Sequence, residues 1–194
     1  MNHRRFRTFS LFLMCFPGLA IASAQEPPSN TRPDHRASPG MANPNVTQAN
    51  IKTTICTSGW TDTIRPPASY TTTLKQLQLK NLGDTDKNTL PLVRSASGTT
   101  KRPDVAHCKE HSSNEACWEE DHLISLELGG HPRNPDNLWP EPWSGPWNAH
   151  VKDALETTLK IMVCHGDITL AEAQKAIATD WVAAYHKFVG DPHD

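Results

Sequence analysis

An aspartate and a histidine stand together in the stretch EEDHLISLELGGHPRNPDNLWPEP, residues 119–142, and an asparagine follows them. A neutral imidazole accepts a proton near neutral pH, so His122 is a candidate general base that deprotonates water. The neighbouring carboxylate, Asp121, could hold a divalent cation, which stabilises the negative charge that develops during hydrolysis. Residues of these types are suited to metal-assisted hydrolysis, and Asn137 lies in the same stretch.

The elements that position these residues follow from the pattern of apolar residues and turn formers. Residues 117–121 and 137–140 are predicted to be short strands, and the Gly, Pro and Asn residues between them predict a turn. Apolar residues at helical spacing then predict a helix over 146–164, which carries Asn148 and His150 on its first turns. The predicted order is strand, loop, strand, helix.

Two further helices are predicted outside this unit. Residues 70–82 place leucines along one face, and residues 170–188 carry an apolar stripe that begins after Thr169 and Glu172 at capping-box spacing. The predicted fold class is α+β, in which a small hairpin and additional helices are joined by disulfide bonds.

Four strings in this part of the chain resemble the HNH endonucleases: Asp-His-Leu-Ile, Leu-Glu-Leu-Gly-Gly, Asp-Asn-Leu-Trp-Pro-Glu and Lys-Asp-x-x-Glu. They look most like a group of small secreted bacterial HNH proteins, and RPPASYTTTLKQLQL also looks like theirs, so the resemblance covers most of the chain from Ile55 on. It implies a ββα-metal motif that cuts DNA, or less readily RNA. In its terms His122 is the general base, Asp121 a metal ligand, and Asn137 the residue that orients His122 and its loop.

The second metal ligand falls on the helix, where the resemblance leaves two candidates, Asn148 and His150. Residues two positions apart project about 200° apart on a helix of ~3.6 residues per turn, so at most one of them faces the ion. We favour His150, because imidazole binds transition ions better than a neutral amide does. The implied ion is Mg²⁺ first, with Mn²⁺, Ni²⁺ or Zn²⁺ as alternatives. Arg133 and Lys152 are the candidate phosphate contacts.

The first residues of the chain have the layout of a secretory signal peptide. A basic patch precedes a short apolar run, and Ala-Ser-Ala then ends the segment 1–24. The run is shorter than the ~20 residues that span a bilayer, so we expect no stable membrane association. The protein is predicted to be secreted or periplasmic, and we expect it to be a monomer.

Composition divides the remaining chain into two parts. Residues 25–50 are rich in Pro, Ser, Asn and Gln, which predicts a disordered linker, and residues 51–190 form one predicted domain. Loss of the signal peptide removes three of the 19 basic residues and none of the 21 acidic ones, for a net charge of about −5. Because affinity for nucleic acid comes largely from neutralised phosphates, any nucleic-acid site must be local or metal-assisted.

An exported chain keeps four cysteines after signal removal, and oxidation is expected in that compartment. Three pairings are possible, of which we favour Cys108 with Cys117 and Cys56 with Cys164. The alternative is a zinc site built from the nearby imidazoles and thiolates, which are His107, Cys108, His111 and Cys117, with His165 following Cys164.

Two other classes of protein remain alternatives to a nuclease. One is a binding or structural module that retains the HNH fold without activity, and the other is an exported binding protein stabilised by zinc. A nuclease of this kind requires Asp121, His122 and one helix ligand to converge on one ion, whereas an inert module does not. A zinc-stabilised protein would instead bind metal through its cysteines.

Overall fold

The computed structural model describes residues 32–81, 108 and 114–191. This part of the chain contains two strands and four α-helices, so the α+β fold class is confirmed. The predicted signal peptide over 1–24 lies outside the described residues. The elements are α1 (Trp60–Ile64), α2 (Ala68–Asn81), β1 (Trp118–His122), β2 (Leu138–Pro142), α3 (Ala149–His165) and α4 (Leu170–Phe188).

The two strands form an antiparallel hairpin in which Asp121 lies opposite Trp139 and His122 lies opposite Leu138. Because successive side chains of a strand point to opposite faces, Asp121 and His122 project to different sides of the hairpin. Glu141 is the cross-strand partner of Glu119, and the two share a face. Glu119 lies two residues before Asp121 on β1, so Glu141 is on the same side of the hairpin as Asp121. The hairpin therefore separates the two residues of the Asp-His pair.

The loop between the strands makes two 3₁₀ turns, Leu126–Leu128 and Pro135–Asn137, each of which is capped by a side chain. Gly130 lies between them, and a Cβ at this position would overlap the carbonyl oxygen of Ile124. The loop can therefore close this tightly only with glycine there.

Helices α3 and α4 pack against each other and carry most of the core. The helix predicted over 146–164 begins at Ala149, because the side chain of Asn148 caps it, and it ends at Gly166 with φ 91°. The helix predicted over 170–188 matches α4, with the predicted capping box at Thr169. The buried side chains of this core include Leu155, Leu159, Val163, Leu170, Ala173, Ile177, Trp181, Ile51, Ile55, Ile124, Leu128 and Trp147.

Helix α2 lies against the hairpin through polar side chains that bind strand backbone. Lys75 donates to the carbonyl oxygen of Trp118 at 2.9 Å, and Gln78 donates to that of Leu138 at 2.9 Å. The prediction of a helix over 70–82 is borne out within two residues at either end. Its leucine pattern did not indicate these polar contacts with the strands.

The linker predicted over 25–50 is packed against the rest of the fold from Arg32 on. Arg32 binds the carboxylate of Asp180 through two hydrogen bonds of 3.0 Å, and Val46 is buried in the core. The chain between them exchanges backbone hydrogen bonds with the loop that joins the strands. The prediction fails for 32–50 because backbone hydrogen bonds, the Arg32–Asp180 ion pair and the burial of Val46 hold this segment, and its low apolar content did not indicate them.

Both favoured disulfides are present, Cys56–Cys164 and Cys108–Cys117. Their sulfurs are therefore not available as zinc ligands, and the two histidines of the alternative zinc site, His107 and His111, lie outside the described residues. Among the described helices, none is both long and apolar enough to cross a membrane.

Candidate active site

His122 ends β1 and is held by one hydrogen bond from its ring. Nε2 lies 3.0 Å from the carbonyl oxygen of Pro132. A carbonyl oxygen only accepts hydrogen bonds, so Nε2 must carry the proton, and the lone pair of the neutral ring is then on Nδ1. Among the residues that the structure describes, none hydrogen-bonds Nδ1. The ring therefore presents one basic nitrogen in a fixed orientation.

The surroundings of His122 favour this neutral form. Burial lowers the pKa of His122 below its ordinary value of 6.5, and the positive charges of Lys152 and Arg65 lower it further. The carboxylate of Asp121 and the hydrogen bond to Pro132 act in the opposite direction but do not reverse the shift. At neutral pH the imidazole is consequently unprotonated and able to accept a proton.

Asn137 is fully buried and uses all four of its hydrogen-bonding positions. Its Oδ1 accepts from the backbone N–H of Ile124 at 2.9 Å and of Met41 at 3.1 Å. Its Nδ2 donates to the carbonyl oxygens of Ile124 and His131, at 3.0 and 3.2 Å. The side chain thus fastens the loop that follows His122.

We expect Asn137→Ala to lower the free energy of unfolding by about 2–4 kcal/mol, because it leaves buried backbone groups without partners. Asn134→Ala is the matched control. Asn134 makes one side-chain hydrogen bond, to the N–H of Asp136, and its loss should cost about 1 kcal/mol. Urea unfolding of both variants measures the difference, and equal costs would contradict this role of Asn137.

Asp121 faces α3, where its carboxylate meets the ammonium group of Lys152. Lys152 Nζ lies 2.5 Å from Asp121 Oδ2 and 2.9 Å from the carbonyl oxygen of His122, and it also pairs with Glu156. The Lys152 side chain has no exposed surface. The prediction that Lys152 contacts a substrate phosphate is therefore wrong, because the face of α3 that carries this residue packs against the hairpin instead of facing solvent.

Several acids share the space around Lys152. Glu141 is fully buried, with Oε2 at 3.8 Å from Lys152 Nζ, and burial raises the pKa of Glu141 well above its usual range. Burial also raises the pKa of Glu156 to about 7 and that of Glu119 to about 8. Although burial alone would raise the pKa of Asp121, the charge of Lys152 holds it below its usual value. Asp121 is thus the ionised partner of Lys152.

Neither oxygen of Glu141 meets a hydrogen-bond donor among the described residues. A hydrogen bond between Glu141 and Asp121 consequently requires a proton on Glu141. Burial therefore favours the neutral form of Glu141, and the direct acidic partners of the Lys152 ammonium are Asp121 and Glu156.

The two candidate helix ligands occupy different surroundings. Asn148 caps α3, since its Oδ1 accepts from the N–H of His150 at 2.9 Å and its Nδ2 donates to the carbonyl oxygen of Gly145 at 2.8 Å. His150 is partly exposed, with its ring 5.1 Å from that of Trp143 and its Nδ1 3.9 Å from Asp153 Oδ2. Both polar atoms of the Asn148 side chain are used in this cap, so Asn148 is not suited to bind a metal ion.

These residues do not fit the divalent ion that the resemblance implies. Oδ2 of Asp121 is bound by Lys152, and the described residues contain no group of three or more acids, imidazoles or thiols that could hold a metal. A divalent ion on Asp121 would lie within about 5 Å of the Lys152 ammonium, where repulsion is on the order of 6 kcal/mol at an effective dielectric constant of ~20. The geometry thus favours the ammonium as the cation beside Asp121.

Sequence reasoning missed Arg65, which the fold brings near His122. Arg65 is exposed, and its charge contributes to the low pKa of His122. Pro66 and Pro67 follow Arg65 and restrict its backbone. A few residues later, the hydroxyl of Tyr70 donates to the carbonyl oxygen of Arg133 at 2.5 Å, which ties this segment to the loop between the strands. Arg65 lies in the RPPASY string, but only the fold relates that string to the strands.

Arg133 is exposed, as a residue that contacts a substrate must be. It follows Pro132, whose carbonyl oxygen holds the ring of His122. Two exposed guanidinium groups, those of Arg65 and Arg133, therefore belong to segments near the ring of His122. No family model, curated protein or solved structure matches the chain.

Proposed function

We propose that the protein is an HNH-type nuclease that hydrolyses phosphodiester bonds, with DNA as its first candidate substrate and RNA as the second. The observation that carries this proposal is the state of His122: Nε2 bound to the carbonyl of Pro132, with the lone pair on Nδ1 and a lowered pKa. The strand, loop, strand and helix around His122 are arranged in the order of a ββα motif. A fixed neutral imidazole of this kind is suited to general-base catalysis.

The proposed step uses Nδ1 of His122 to remove a proton from water. The resulting hydroxide attacks phosphorus, a new P–O bond forms, and the bond to the leaving oxygen of the nucleotide breaks. Solvent supplies the proton that the leaving oxygen takes up. His122 is only 4% exposed, so a water molecule that reaches its ring would be largely shielded from bulk solvent.

The negative charge of the attacked phosphate requires positive groups at the surface. Arg65 and Arg133 are exposed, and guanidinium groups bind phosphate oxygens in bidentate fashion. The expected net charge of about −5 opposes non-specific binding elsewhere on the protein, so these two arginines would provide the local attraction. Lys152 has no such role because it is buried.

The test is incubation of the oxidised protein with supercoiled plasmid, single-stranded DNA and RNA. Parallel reactions contain EDTA, Mg²⁺, Mn²⁺, Ni²⁺ or Zn²⁺. Nicking or fragmentation by the wild-type protein, and not by His122→Gln, would support the proposal. The absence of cleavage of every substrate under every condition would refute it in favour of an inert module.

Arg65→Gln should weaken binding of a short DNA duplex about 10-fold at low salt, because one charge-assisted contact to phosphate is lost. The slope of log affinity against log salt should fall by about 1. The acid limb of the cleavage profile should also move to higher pH, since Arg65 no longer lowers the pKa of His122. Fluorescence anisotropy and initial rates measure these changes.

Arg36→Gln is the control for Arg65→Gln. Arg36 is also an exposed arginine, but its guanidinium pairs with Asp34. Its replacement should leave both the affinity and the pH profile unchanged. If the two variants behave alike, Arg65 does not contact the substrate.

A further inference from the structure

The ammonium group of Lys152 occupies a closed position between the hairpin and α3. Its three N–H donors match three oxygen acceptors, which belong to Asp121, Glu156 and the backbone of His122. The oxygen of a further carboxylate, Glu141, lies 3.8 Å away. Nζ is thus surrounded by oxygens, as a hard metal cation would be.

The resemblance implies a divalent ion on this side of the hairpin, held by Asp121 and a residue of the helix. Lys152 already binds Asp121 from that helix, and its side chain has no exposed surface. A divalent ion on the same carboxylate would have to approach a buried positive charge. The lysine and the ion are therefore mutually exclusive partners of Asp121.

We propose that Lys152 is the permanent cation of this site and takes the place of a divalent metal, so that the protein acts on nucleic acid without one. Lys152 then fixes Asp121, the C-terminal end of β1 and the backbone of His122 in a single arrangement. It is a positioning residue, because it is buried and does not reach the substrate. The part of this inference that concerns cleavage rests on the proposed function, whereas the part that concerns metal binding does not.

Removal of the ammonium should convert the site into a metal site. Lys152→Ala leaves the carboxylates of Asp121, Glu141 and Glu156 facing one another, with the carbonyl oxygen of His122 beside them. Oxygen ligands of this kind bind hard divalent cations. Lys160→Ala is the matched control, because Lys160 is also on α3 and pairs with a different acid, Glu127.

The experiment titrates Mn²⁺ into the full oxidised chain and its variants, with calorimetry and electron paramagnetic resonance as readouts. Wild-type protein and Lys160→Ala should show no Mn²⁺ binding that depends on Asp121. Lys152→Ala should bind one Mn²⁺ at least about 10-fold more tightly than the wild type does, and adding Asp121→Asn should abolish that gain. A folded Lys152→Ala variant that binds Mn²⁺ no better than Lys160→Ala does would overturn the proposal.

If Lys152→Ala fails to fold, measurements on the wild-type protein decide whether Lys152 replaces a divalent ion at Asp121. Mn²⁺ binding by the wild type that Asp121→Asn removes would overturn the proposal, and its absence supports it. Plasmid cleavage in EDTA at a rate within about 3-fold of that in Mg²⁺ also supports it, whereas cleavage only with an added divalent ion would overturn it. If no cleavage occurs at all, the proposed function fails, and the Mn²⁺ titration still decides this inference.

Discussion

Replacement of His122 by alanine is expected to lower the rate of plasmid cleavage at least ~100-fold, the usual contribution of a general base. The loss follows from the removal of Nδ1, the nitrogen that takes the proton from water. Initial rates of plasmid nicking by the wild type and the variant, measured at equal protein concentration, give the fold reduction. Cleavage by the variant at the wild-type rate would exclude His122 from the mechanism.

Two further variants separate catalysis from folding in this test. His122→Gln retains an amide N–H that can donate to the carbonyl oxygen of Pro132, but it supplies no base. It should therefore keep the fold, as judged by circular dichroism, and lose cleavage as the alanine variant does. His165→Ala replaces an exposed histidine at the end of α3 and should cleave normally.

The pH profile of the wild type offers a second readout of the same group. Burial lowers the pKa of His122, so the neutral base persists below pH 6.5. Cleavage should fall as pH decreases through this lowered pKa, with its acid midpoint below 6.5. A midpoint clearly above 6.5 would contradict the assignment of His122 as the base.

Loss of the Cys56–Cys164 disulfide is expected to cost about 5 kcal/mol of unfolding free energy. The two cysteines are 108 residues apart, and closure of so long a loop strongly restricts the unfolded chain. The variant carries Cys56→Ser and Cys164→Ser together, and denaturant unfolding measures its stability. Wild-type protein should show no free thiol from these two cysteines.

Cys108→Ser with Cys117→Ser provides the comparison for this variant. That bridge spans only 9 positions, so its removal should cost about 3 kcal/mol. The long bridge should therefore cost roughly 2 kcal/mol more than the short one. An equal or larger loss from the short bridge would show that loop length does not set the stabilisation.

Local patterns were sufficient for much of the fold. The apolar spacing of α4 and its Thr169–Glu172 capping box determine both ends of that helix, because both signals depend on residues within a few positions of one another. The hairpin could be predicted for the same reason, since Gly129, Gly130 and the Pro and Asn residues that follow them mark a turn between two short segments. The favoured cysteine pairs were also correct, but spacing alone allowed three pairings and the fold selects one.

The sequence alone determined helices α2, α3 and α4, the hairpin and the residues around the Asp-His pair. Tertiary structure decided what each of them does. Lys152 reads as a surface lysine until α3 packs on the hairpin, and burial against Asp121 then makes it an internal cation. Arg65 approaches His122 across more than 50 residues of chain, and residues 32–50 are ordered by backbone hydrogen bonds to a distant loop. Charge, burial and partnership depend on what packs opposite a residue, which no local pattern records.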